Sequence, residues 1–176
     1  MKTMKNRFLH SSGAAALTAV VLSAGMAFST AQAASDSANA TATVFTPISI
    51  TNTSDLAFGT FTPGAGGTVV ISTSGAASAT GGVVLDGTSS TDFAGFNVGG
   101  NASDTYAITL PTSTTITDSS TGATMSVASF TSSPSGTSTL SGTGTGALQV
   151  GATLTVGANQ AAGNYSGTFN VTVEYN

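Results

Sequence analysis

Seven carboxylates are the residues with the most chemistry to offer: Asp36, Asp55, Asp86, Asp92, Asp104, Asp118 and Glu174. Five of them, Asp55, Asp86, Asp92, Asp104 and Asp118, stand in or beside turn-forming stretches. Loop carboxylates are what calcium prefers, because hard cations bind carboxylate and carbonyl oxygen. The spacing argues against it. The nearest pair, Asp86 and Asp92, is separated by GTSST with no supporting acid, and no EF-hand loop occurs. Two carboxylates are also the minimal equipment of a glycoside hydrolase, but the chain has no tryptophan to serve as a sugar platform. Aspartates that cap turns through their own side-chain oxygens are the commoner use, and that is the role expected here. No catalytic residue, metal or cofactor is assigned.

The glycine run Gly142, Gly144, Gly146 has the look of a phosphate-binding loop. Such loops work at a strand-to-helix junction, with a lysine on the phosphate. No helix is expected after Gly146 and no lysine is at hand, so the run reads as a flexible turn. Asn39, Asn52, Asn101, Asn164 and Asn170 each begin an Asn-x-Ser/Thr triplet. In so Ser/Thr-rich a chain these arise by chance, and they are given no role.

The amino-terminal 33 residues change the chemical inventory. Lys2, Lys5 and Arg7 precede the apolar, small-residue run Ala14 to Phe28, and Ala31-Gln32-Ala33 has the small-x-small pattern of a cleavage site. Together they predict a secretory signal peptide over 1–33. The apolar run is shorter than the ~20 residues of a spanning helix, so no stable transmembrane insertion is expected. All three basic residues and the one histidine, His10, fall in this segment. The remaining 143 residues (176 minus 33) therefore hold no Lys, Arg, His, Cys or Trp, and carry about seven negative charges.

That composition excludes whole classes of activity. Without cations, nucleic acid would be repelled, and anionic membrane surfaces are disfavoured. Serine–histidine and cysteine–histidine pairs, lysine Schiff bases, and histidine or cysteine metal sites are ruled out. An enzyme is not expected. No disulfide can form either, so stability must come from a core, for which 143 residues suffice.

The elements that would carry these residues are strands. Gly163 to Asn176 alternates without a break: Tyr165, Gly167, Phe169, Val171, Val173 and Tyr175 on one parity, Ser166, Thr168, Asn170, Thr172 and Glu174 on the other. This predicts one long strand with a single buried face. With Asn176 as the last residue, no later strand is expected to cover its free edge, and natural proteins cover such edges. Ala38 to Ile50 alternates as well, with Ala38, Ala40, Ala42, Val44, Ile48 and Ile50 in step; Pro47 makes it an edge strand or two pieces. Between these ends lie short strands at Thr68–Thr73, Ala76–Asp86, around Phe96, Tyr106–Leu110, Thr114–Thr117, Met125–Phe130 and Leu148–Val156. Gly/Ser/Pro turns separate them, Gly151 is read as a bulge, and Thr137 to Gly146 is read as an exposed hairpin or loop. About eight to ten such strands with no sustained helical period predict an all-β antiparallel sandwich over 47–176. A closed barrel is the second choice.

On these residues the chain resembles a family of small secreted bacterial domains, similar in appearance to spore coat protein U and to subunits of archaic chaperone–usher pili. Ala42 to Ile50 (ATVFTPISI), Leu56-Ala57-Phe58-Gly59, Phe96 to Gly100 (FNVGG) and Ala162 to Tyr175 carry the likeness. The resemblance implies an exported, immunoglobulin-like sandwich whose missing strand is supplied by a neighbour. It would make 34–46 an extension acting as donor strand, with Ala38, Ala40, Ala42 and Val44 entering the groove of another copy. Phe169, Val171, Val173 and Tyr175 would line the acceptor edge, and a periplasmic chaperone would bind there first by strand addition. The expected function is a secreted, non-enzymatic surface subunit, fimbrial or pilus-like, partnered by copies of itself. The alternative is a self-complemented monomer, an adhesin or matrix component, in which residues 38–44 pair within their own chain.

Overall fold

The structure is a computed structural model and describes residues 32–176; the expected signal peptide lies outside them but for Gln32 and Ala33. Residues 32–41 form a unit apart from the domain Ala42–Asn176. They are exposed and carry no strand or helix. In the domain every regular element is a strand, and every pairing is antiparallel. In chain order these are β1 Ser49–Ser54, β2 Phe61–Thr62, β3 Gly67–Ile71, β4 Ala77–Gly81, β5 Val84–Leu85 and β6 Ala94–Gly99. There follow β7 Thr105–Thr109, β8 Ser113–Asp118, β9 Thr124–Ser133, β10 Thr137–Thr139, β11 Thr145–Val156, β12 Tyr165–Ser166 and β13 Thr172–Tyr175.

β11 organises the fold. Its even-numbered residues Leu148, Val150, Ala152, Leu154 and Val156 are all buried, so one strand presents one face over its whole length. On one side β9 pairs with it. On the other side the partner changes midway: Thr145–Val150 takes β6, and Ala152–Val156 takes β3. β1 extends the sheet beyond β6, β4 beyond β3, and β8 then β12 beyond β9. The change falls at Gly151, where an added Cβ would run into the backbone of Ile71 and Ser72. Only glycine leaves room for the strand end that lies across it.

Two cores follow from the two halves. The first half of β11 packs Leu148 and Val150, with Ala94 and Val98 of β6, against Tyr106, Ile108, Leu140 and Val173. Those last residues come from, or sit beside, a second sheet in the order β10-β7-β13. This is sheet on sheet, an antiparallel sandwich as the sequence predicts. The second half packs Ala152, Leu154 and Val156 with Val69, Ile71, Met125 and Val127, under the small β2–β5 pair. Each fully buried Leu, Ile or Val contributes about 1.5–3 kcal/mol before chain entropy is subtracted.

The structure differs from the sequence reading at four places. The bulge lies on β9 rather than on β11: Ser129 adopts φ 51°, and between Gly151 and Thr153 the register with β9 slips by one residue. The extra residue turns the strand over, so the inward set passes from Met125 and Val127 to Phe130. Thr137–Gly146 contains β10, paired with β7, before its Ser141–Thr145 turn. The predicted strand from Ala38 to Ile50 begins only at Ser49, and residues 32–48 form no strand or bridge. Small alternating side chains permit an extended chain but do not hold one without a ladder partner.

The final strand is two. Tyr165–Ser166 pairs with β8 at the edge of the large sheet, and Thr172–Tyr175 pairs with β7 at the edge of the small one. Residues 167–171 pass from one sheet to the other. The alternation survives the crossing. Tyr165, Phe169, Val171, Val173 and Tyr175 are all buried or half-buried, and the residues between them are exposed.

Two substitutions test this packing. The Tyr106 hydroxyl is buried with no hydrogen-bond partner, and an unsatisfied buried polar group costs about 1–3 kcal/mol. Tyr106→Phe is therefore expected to leave stability unchanged or to raise it by about 1 kcal/mol in urea unfolding; a clear loss would mean that the hydroxyl is bonded. Gly151→Ala is expected to destabilise by about 1–3 kcal/mol or more, with a lower urea midpoint at unchanged slope.

Candidate functional site

An apolar groove of about 1020 Å³ opens over the second core. Its floor is the concave face of the large sheet: Phe96 of β6, Ile116 of β8, Met125 and Val127 of β9, and Leu154 of β11. These point inward because they occupy the buried parity of their strands. One wall is the arm 55–63, which brings Leu56, Phe58 and Phe61 to the groove. The other is the ribbon 160–169, with Tyr165 and Phe169 facing in. The Phe169 ring lies against Phe130, centroids 4.9 Å apart and tilted by 40°.

Both walls are made of chain that is only lightly tied to its neighbours. The arm is held by the two pairs of β2 with β5, by the bridge Ala57–Asp92, by the Asp86 amide donating to the Thr60 carbonyl, and by the Thr60 amide donating to the Ser89 hydroxyl at 2.7 Å. The ribbon is held by the two pairs of β12, and by the Thr114 hydroxyl donating to the Thr168 carbonyl at 2.8 Å. Gln160 donates to the Thr124 carbonyl and to the Tyr165 hydroxyl, which donates in turn to the Ala161 carbonyl at 2.7 Å. Among the described residues no strand lies between arm and ribbon. An apolar floor between two walls with backbone groups outside any ladder is a place for an extended segment.

The predicted acceptor residues do not form one edge. Phe169 lines the groove and packs against the first core, in which Val173 of β13 is buried. Val171 and Tyr175 pack against that core too. Tyr175 does a different job: its hydroxyl donates to the Thr46 carbonyl at 2.7 Å and accepts from the Asn101 amide at 2.6 Å. That fastens the base of the amino-terminal extension to the last strand. Of the predicted donor residues, Ala38, Ala40 and Ala42 are exposed, and Val44 is 92% exposed with Phe45 beside it at 58%. Leu56, Phe58, Phe61 and Ile116 line the groove as well, and none of them is among the predicted donor or acceptor residues, although Leu56 and Phe58 belong to a motif that carries the resemblance. For Leu56, Phe58 and Phe61 the sequence signal is large apolar side chains on a segment too turn-rich for a long strand; for Ile116 it is the apolar member of the strand Thr114–Thr117.

The aspartates serve turns. Asp86 accepts from the Thr88 amide and hydroxyl, which hold its carboxyl below the usual carboxylate range. Asp92 accepts from the Phe93 amide, and Asp104 from the Asn101 side chain. Asp118 stands apart because it is only 2% exposed. The Thr121 hydroxyl at 2.6 Å is the main influence lowering its pKa; burial opposes the shift, and the amides of Ser120, Thr121 and Asn164 add to it. Among the described residues no three acidic side chains converge as a metal site would require.

No curated protein and no solved structure matches the chain. The model of a family described as a domain of unknown function, DUF4402, matches residues 48–175, which takes in the whole sandwich from just before β1 to the end of β13. The chain belongs to the DUF4402 family.

Proposed function

We propose that this protein is an exported structural subunit that assembles with copies of itself by lending its amino-terminal extension, residues 34–46, to the groove of the next copy. The observation that carries this reading is the placement of the two parts. The domain end of the extension is pinned at Thr46 beside Tyr175, while the near wall of the groove begins at Asn52 and Asp55. Only Ser49–Thr51 of β1 lies between Thr46 and Asn52, about 10 Å of strand. The point where the extension joins the domain, Thr46, and the groove, which begins at Asn52, are different places along the chain. A contact between the extension of one copy and the groove of the next is heterologous, and such contacts build open chains where the rotation does not close a ring.

The chemistry of the two parts agrees. The extension alternates apolar and small polar residues, is free of any ladder and ends in exposed Val44 and Phe45. The groove offers an apolar floor for one face of such a strand and backbone along its walls for the edges. Neither part holds a cation, so apolar burial and backbone hydrogen bonds are the forces on offer. The acceptor in this reading is the groove, of which Phe169 is one wall residue. The carboxyl-terminal edge β13 would be a second surface for strand addition, suited to a chaperone during export.

Deleting 34–46 is expected to leave folded protein that no longer assembles: a single monomer peak in gel filtration and no filaments by electron microscopy. Val44→Asp, which keeps the extension but makes its largest inward residue a carboxylate, is expected to give the same loss. Filaments of normal length from either variant would end the proposal. A stable monomer from the unaltered chain would favour self-complementation.

A further inference from the structure

We infer that Gly163–Thr168 is a strap forming one wall of the groove, and that Asp118 is the latch that keeps it down. The assignment to a gate rests on the reading of the groove as the acceptor; the latch itself does not. The strap crosses directly above the carboxylate. An ideal Cβ on Gly163 would sit 2.7 Å from the Asp118 side chain, so glycine is what allows the chain to pass. A second glycine, Gly167, is pressed in the same way against the Thr115 carbonyl and the Ile116 side chain. Between them, only Tyr165 and Ser166 make ladder pairs. A segment held by so few backbone bonds is drawn from the low-stability end of a fold, and its side-chain fasteners decide whether it stays closed.

Asp118 ties three pieces together. It accepts from Thr121 and Ser120 in the β8–β9 turn, its backbone pairs with Tyr165 of the strap, and the strap's Asn164 amide helps to lower its pKa. Buried carboxylates are normally paired with a cation. Here no lysine, arginine or histidine exists in residues 34–176. Among the described residues the titratable group opposite it is Tyr165, its cross-strand neighbour on the strap. The charge is therefore held by hydrogen bonds alone, and protonation both weakens those bonds and removes the cost of burying the charge. The sign follows. With its pKa lowered in the folded state, the latch is fully fastened above the ordinary carboxylate value of about 3.9 and is lost as pH falls below it.

The test is residue-resolved amide hydrogen exchange on the chain from Ala34. In Asp118→Asn, protection at Asn164–Thr168 is expected to fall tenfold or more at neutral pH, with β9 and β11 unchanged. The unaltered protein should show the same local loss on acidification, after correction for intrinsic rates, and the variant should show no such step. Gly163→Ala, which keeps the carboxylate but crowds it, should reproduce the local loss. Equal protection in the variants, or a loss spread evenly over β9 and β11, overturns the latch. A synthetic peptide of residues 36–47 tests the gate. It should enter the groove faster in Asp118→Asn; unchanged entry rates overturn the gate while leaving the latch. No binding to any form removes the acceptor reading on which the gate depends.

Discussion

A single strand holds this domain together by changing partners. β11 is twelve residues long and keeps one buried face, while the strand beside it passes from β6 to β3 at Gly151. Each half of that face then meets a different cover: the β10-β7-β13 sheet over one core, the β2–β5 pair over the other. The bulge at Ser129 lets β9 follow the bend without losing its ladder. Because neither cover spans the full face, an opening remains over the second core. The groove is a result of how the sheet divides.

The carboxyl-terminal ribbon is the counterpart of that division. It belongs first to the large sheet and then to the small one, and its inward residues are shared between two cores. Tyr165 packs against the core beneath the groove, Val173 against the other, and Phe169 stands at the crossing against Phe130. The ribbon is thus a seam between the two halves as well as a wall of the groove. Its loosest part lies over the one deeply buried aspartate.

The alternation of the ribbon was legible in the sequence, and so was its outcome for each side chain. What period-two spacing cannot express is which sheet supplies the partner, since the pattern is the same on either side of the crossing. Phe130 shows the reverse case. It breaks parity with Met125 and Val127, and that break was a visible sign of a bulge two residues after Val127. The amino-terminal extension alternates too, yet has no ladder, because alternation specifies a face and not a neighbour. Among the aspartates, Asp118 could be told from the rest by its parity with Ile116 on β8. The walls of the groove were the least legible part: arm and ribbon lie about a hundred residues apart in the chain, and only the curl of the sheet brings them together.

The Tyr175 hydroxyl, clasped between the Thr46 carbonyl and the Asn101 amide, has a mechanical consequence. Tension arriving through residues 42–46 does not reach the sandwich at a loose end. It is divided at once between β1, which lies lengthwise along β6, and β13, which lies lengthwise along β7. A pull directed along either strand strains the rungs of its ladder together instead of peeling them one by one. At this corner the start of the domain and its last strand are joined through one hydroxyl.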